Sequence, residues 1–187
     1  MKALWMILSL SLAALVQAQD IPPLAPLRGD AATLKDTMKF LQDKLPGKVN
    51  YIVYEHNNVT GTDSPPSKRS LEMSSVKADP DHCYIGYHFR LDNGTTVFDQ
   101  DSGLALKQVR EITSMSLEQS TQQGNAKAGH PERSVRVDPP VFQVLVQSES
   151  GRPSVIGLFY DDSMSDRVSK ALMHAVDLCG GGRQEPF

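Results

Sequence analysis

Cysteine is scarce here: Cys83 and Cys179 are the only two among 187 residues. Neither stands in a Cys-x-x-Cys or similar redox spacing, which argues against a thiol enzyme. No Gly-x-Ser-x-Gly occurs, so the nucleophile elbow of α/β hydrolases is excluded. Basic residues are not in excess. The 19 Lys and Arg against 22 Asp and Glu leave a net charge of −3, and no basic footprint for nucleic acid follows from that. No internal repeat is visible. Beyond residue 18 no apolar run is long enough to span a membrane.

What is present starts with the first eighteen residues. A single lysine, Lys2, precedes an unbroken run of apolar residues and serines from Ala3 to Val16. Val16-Gln17-Ala18 then offers small or apolar residues at the positions a signal peptidase reads. Residues 1–18 are therefore expected to be a signal peptide, with Gln19 as the mature N-terminus and a secreted or periplasmic destination. In that oxidising setting Cys83 and Cys179 are expected to pair. Residues 19–30 hold Pro22, Pro23 and Pro26 and are expected to be an extended lead-in.

Residues 31–187 are long enough for one domain with its own core. Leu34, Met38, Leu41 and Leu45 repeat at steps of four and three, predicting a helix over 31–45 that Asp30 can cap and Pro46-Gly47 ends. Alternating apolar runs follow, the pattern of antiparallel strands. They cover 49–56, 69–77, 83–91, 95–99, 112–117, 141–147 and 154–160. Cys83, Ile85, Tyr87, Phe89 and Leu91 share one face of the cleanest strand, and Asn93-Gly94 after it suits a tight hairpin. Residues 57–68 read as a loop. Residues 118–140 are polar, with no apolar period, and are expected to be a mobile surface loop. Asp162 to Cys179 carries an apolar stripe of Met164, Val168, Ala171, Leu172, Ala175, Leu178 and Cys179, which predicts the helix the sheets pack against. Ser163 and Asp166 suit its start and Gly180 its left-handed C-cap. Strands in a run with helices at the ends predict an α+β domain.

Candidate chemistry is thin. Asp99-Gln100-Asp101-Ser102-Gly103 begins like a calcium loop, but Leu104 and Arg110 stand where the motif needs Gly and Glu, so a polar turn is expected. Asp79, Asp81, His82 and His88 offer metal-ligand chemistry without a second cluster to complete a site, and no metal is expected. His88 reads as a solvent-face histidine and His174 as a packing residue at the stripe's edge. Gly180-Gly181-Gly182 follows a helix and cannot cradle phosphate at a helix N-terminus. Asn58-Val59-Thr60 and Asn93-Gly94-Thr95 match the glycosylation sequon, which matters only in a eukaryotic secretory pathway. No catalytic set and no cofactor are assigned.

Seven short antiparallel strands followed by an amphipathic helix resemble the pleckstrin-homology-like order of elements. That resemblance implies a partly open barrel of two near-orthogonal sheets plugged by the last helix. Residues 34–45, Leu-Lys-Asp-Thr-Met-Lys-Phe-Leu-Gln-Asp-Lys-Leu, and residues 170–181, Lys-Ala-Leu-Met-His-Ala-Val-Asp-Leu-Cys-Gly-Gly, are similar to the two ends of small exported bacterial proteins of unassigned function. The likeness implies no catalytic residues. Lipid-headgroup binding does not carry over, because no Lys/Arg cluster sits in the early strand loops. The reading that follows is an exported, non-catalytic binding or protein-interaction module of unknown specificity, its partner an unknown protein or a small apolar ligand. The alternatives are a carrier of a small apolar ligand in the barrel and, less favoured, a hydrolytic enzyme. If the last helix packs on the Cys83 face, both sulfurs point into one interface, and a Cys83–Cys179 disulfide is expected there.

Overall fold

The computed structural model describes residues 32–149, 151 and 153–182. The expected signal peptide and lead-in, residues 1–30, lie outside the described residues. Among those described, the order is α1 (Leu34–Lys44), β1 (Gly47–Asn57), β2 (Thr62–Asp63), β3 (Ser67–Asp79), β4 (Tyr84–Asp92), β5 (Val97–Ala105), β6 (Val109–Ser116), α2 (Leu117–Lys127), β7 (Arg133–Asp138), β8 (Phe142–Ser148), β9 (Pro153–Phe159) and α3 (Asp162–Leu178). All strand pairs are antiparallel and the class is α+β, as expected. The strands number nine among the described residues, not about seven, and they form two sheets that do not close into a barrel. In the six-stranded sheet β1 pairs with β2, β3 and β7, β3 with β4, and β4 with β5. The three-stranded sheet runs β6-β8-β9.

Two apolar clusters hold these layers. The larger joins Met38 and Leu41 of α1, Met73, Ile85 and Tyr87 of the first sheet, Val144, Val146 and Ile156 of the second, and Val168, Leu172 and Ala175 of α3. The smaller joins Val49, Tyr51 and Val53 of β1 to Leu71, Val137, Val141 and Leu158. Alternation along β1 explains its share: the odd positions 49, 51 and 53 are buried, and Asn50, Ile52, Tyr54 and His56 face away from that core.

Both end helices form for the reasons the sequence offers, with different caps. Thr33, not Asp30, is the N-cap of α1, and its hydroxyl accepts from the Asp36 N–H at 3.2 Å. Asp161, not Ser163, caps α3 and accepts from the Ser163 N–H at 3.0 Å. Val168, Leu172 and Ala175 are fully buried, whereas Leu178 is 49% exposed. At 100° per residue Leu178 lies about 120° round the helix from the centre of the face that Ser165, Val168, Ser169, Leu172, Ala175 and Val176 bury, and Val176 takes its place inside. Gly180, with φ +74°, ends the helix in the left-handed conformation.

Cys83 and Cys179 form a disulfide with Cα atoms 5.9 Å apart. Cys83 does not begin the strand. It occupies the preceding turn at φ +53°, and β4 starts at Tyr84. The bond ties that turn to the last residue of the α3 cap, inside the larger cluster.

The segment 118–140 corrects the expectation of a structureless loop. It holds most of α2 and all of β7. Polarity concealed both. Ser116 and Gln119 form a reciprocal capping box that starts α2 without any buried side chain, a start that needs no apolar period. In β7, Val135 and Val137 alternate with Ser134, Arg136 and Asp138, a period of two too short to stand out. The loop 57–68 likewise contains β2.

Candidate functional site

The residues singled out in the sequence do not converge. Asp99 and Asp101 lie in strand β5, not in a turn, and answer β4 across the ladder, where Arg90 faces Asp99 and His88 faces Asp101. The His88 Nε2 is 2.8 Å from Asp99 and its Nδ1 3.0 Å from Asp101, while Arg90 donates to Asp99 at 2.8 Å. The hydrogen bond to Asp101, then the charges of both carboxylates, raise the His88 pKa above its ordinary value. Both carboxylates are thus engaged by cations of the neighbouring strand. Asp79 instead turns to His82: it accepts from the His82 N–H at 3.0 Å and contacts Nδ1 at 2.7 Å. That backbone hydrogen bond is the leading cause holding the Asp79 carboxyl below its usual range. Among the described residues no three or more His, Cys, Asp or Glu side chains are arranged to hold a metal ion. His174 contacts the Ala32 carbonyl through Nε2 at 2.8 Å. Asn58 lies in the turn after β1, and Asn93 knots the β4–β5 turn by accepting from the N–H groups of Thr95 and Thr96 at 3.0 and 2.8 Å.

A cleft that sequence reasoning missed lies elsewhere. His56 of β1 is paired with Asp63 of β2 on one edge and with Ser134 of β7 on the other. Residues directly opposite in antiparallel strands share a face, so Asp63, His56 and Ser134 form a row across three strands. Two residues along, Tyr54 is paired with Arg136 on the same face. These five residues, with Glu55, Ser64 and Pro66 beside them, line a cleft of about 500 Å³ on the side of β1 turned away from the core.

Its internal bonding is specific. The His56 Nδ1 lies 2.8 Å from the Asp63 carboxylate. Glu55 accepts from Arg69 at 3.4 Å. The Arg136 guanidinium carbon sits 4.0 Å from the centre of the Tyr54 ring. Ser134 donates its hydroxyl to the Asn58 side-chain oxygen at 3.4 Å. The order Ser–His–Asp mimics a nucleophilic triad, but the connection a triad needs is between the hydroxyl and the imidazole. Here that hydroxyl is turned to Asn58. The Asp63 side chain is 83% exposed, so its pairing with His56 is screened by water and orients the ring weakly.

Farther toward the start of β1, a corner joins the two sheets. The Tyr160 hydroxyl, just beyond β9, accepts from the Asn50 N–H at 2.8 Å and donates to the Asn50 carbonyl at 3.0 Å. It fills the stretch of β1 edge that β7, whose pairing starts at Ile52, leaves open.

The only signals that pointed to the cleft are faint: the Ser-Val-Arg-Val-Asp alternation at 134–138, and a histidine closing the first predicted strand. Compared with known protein families, curated proteins and solved structures, the chain matches none.

Proposed function

We propose that the protein is an exported, non-catalytic binding module that engages its ligand in the cleft between β1, β2 and β7. The observation that carries this reading is the way the cleft's polar groups are used. Ser134 is bonded to Asn58 instead of His56, while Arg136 lies stacked on Tyr54. Such a surface is made for recognition and lacks the proton path of an acyl-transfer site.

The carrier alternative has less support. The space between β5 and the β8–β9 pair, bordered by Tyr87, Leu104, Val146 and Ile156, measures about 110 Å³. Sites for small organic ligands run from about 300 to 1,000 Å³. Export is supported by the disulfide, which fits an oxidising compartment, secreted or periplasmic. No helix among the described residues is long and apolar enough to cross a membrane. The pleckstrin-homology-like reading draws support from topology. Setting aside β2, α2 and β7, four strands of one sheet precede three of the other, and α3 follows. Kinship with small exported bacterial proteins rests on the two end helices.

A screen of the purified protein against ester, amide, phosphoester and glycoside substrates tests the reading, together with native mass spectrometry of protein purified without denaturant. No turnover and an apo mass are expected. Turnover abolished by Ser134→Ala or His56→Ala overturns the non-catalytic assignment, and a co-purifying apolar molecule overturns the choice of the surface cleft over the interior.

A further inference from the structure

We propose that the cleft binds a carboxylate-bearing ligand, held by the Arg136 guanidinium. This deepens the binding-module reading and rests on it. Arg136 is exposed on β7, and among the described residues its guanidinium lies over the Tyr54 ring and makes no hydrogen bond or ion pair. Nearby, Arg69 is paired with Glu55, and the His56 ring contacts the Asp63 carboxylate. A guanidinium has five N–H donors in a planar fork and no acceptor. Stacking on a tyrosine face holds that plane and leaves its donor edges open. Tyr54 is half-buried in β1, directly opposite Arg136 in the β1–β7 ladder, so the two side chains meet on one face. An ordered fork with vacant donors loses little freedom on meeting a planar acceptor of matching width, which a carboxylate is.

Surrounding charge selects among oxyanions. Glu55 and Asp63 line the same cleft. Arg69 offsets the first, and His56 offsets the second only when protonated. Among the described residues that line the cleft, Arg136 is then the one uncompensated positive charge, which matches the single charge of a carboxylate and leaves the second charge of a phosphate dianion unmatched. Ser64 and Ser134 line the same cleft, and Pro66 adds apolar wall. The volume of about 500 Å³ suits a residue-sized acid. Two sources share this chemistry, an acidic sugar and the acidic side chain or terminus of a peptide.

The test is a titration of the full mature chain, followed by NMR of the arginine Nε–H signals. The probes are galacturonate, N-acetylglutamate, neutral galactose and inorganic phosphate. Saturation of the Arg136 signal by galacturonate or by N-acetylglutamate is expected, and the tighter of the two identifies the source. Arg136→Gln should weaken that binding by tenfold or more. Arg136→Lys, which keeps the charge and loses the fork, should fall between. Tyr54→Phe, which keeps the ring, should retain affinity. The proposal is overturned if neither carboxylate saturates by about 10 mM, the weak end of specific binding. Equal affinity in Arg136→Gln, or tighter binding of phosphate, also overturns it. Those failures leave the binding-module reading standing, because that reading falls only to Ser134- or His56-dependent turnover or to an interior ligand.

Discussion

Helices α3 and α2 each lie beside the second sheet, and they are held there by different forces. Along its 17 residues α3 buries Ser165, Val168, Ser169, Leu172, Ala175 and Val176, and the disulfide anchors its end. The 11 residues of α2 bury none. Its start is held by the Ser116–Gln119 capping box, and it reaches β7 through Glu118, which accepts from the Val137 N–H at 2.7 Å. Apolar burial contributes about 25 cal/mol per Å² removed from water. A cap or a charge-assisted hydrogen bond contributes of order 1 kcal/mol or a little more. The first helix is therefore part of the core, and the second is a polar brace that keeps β7, and with it Arg136 and Ser134, against β1.

The sharpest way to break that contrast is to cavitate the core. Leu172→Ala should destabilise the protein by about 2–5 kcal/mol, read as a shift of the urea midpoint. A loss below about 1 kcal/mol would show that α3 is not held by burial. Next comes the disulfide. Cys179→Ser should cost about 2–4 kcal/mol, within the chain-entropy ceiling of about 4–5 kcal/mol for a loop of this length. For a domain of this size that means a melting temperature lower by roughly 4–16 °C. Peptide mapping without reductant should recover Cys83 and Cys179 in one linked fragment, and two titratable thiols in the folded protein would refute the bond. Tyr160→Phe removes one hydroxyl that both accepts from and donates to Asn50, so about 1–2 kcal/mol should be lost, with hydrogen exchange rising at Asn50. Ser116→Ala should cost about 1 kcal/mol while leaving α3 protected. Faster exchange confined to α2 and β7 would sharpen the comparison, and equal loosening of α3 would erase it.

The smallest effect is a pH dependence. The folded His88 pKa is raised, chiefly by Asp101. Its contribution to stability is therefore complete below the ordinary histidine pKa of about 6.5 and is lost as pH rises through the higher folded value. The sites are exposed, so the change should be small. His88→Gln should flatten that segment of the stability–pH curve, and an unchanged curve would show that the two aspartates do not hold the imidazolium.

Much of the frame was legible in the chain. The end helices were visible because a 3.6-residue apolar period can be read without knowing what covers it. The seven long strands were visible through alternation or apolar content, and the cysteine pair through scarcity and an apparent export signal. Leu178 was misjudged because a stripe read by steps of three and four tolerates a drift that the real helix does not. Segment 118–140 was misread because α2 starts on a capping box and Glu118, which leave no apolar pattern, and because the valines of β7, of which Val137 is buried in the smaller cluster, alternate over too few residues to stand out.

By itself, then, the sequence determined the secondary elements that bury apolar faces, and the α+β class that follows from their order, since local periodicity records where oil must meet oil. Only the tertiary structure decided that His56 has Asp63 on one side and Ser134 on the other, that Arg136 lies over Tyr54, and that Tyr160 reaches back to Asn50. Apart from Asp63, seven positions from His56, those meetings join residues separated by many tens of positions along the chain. They depend on strand register, which is set by the summed packing of two sheets and is written in no single stretch of residues.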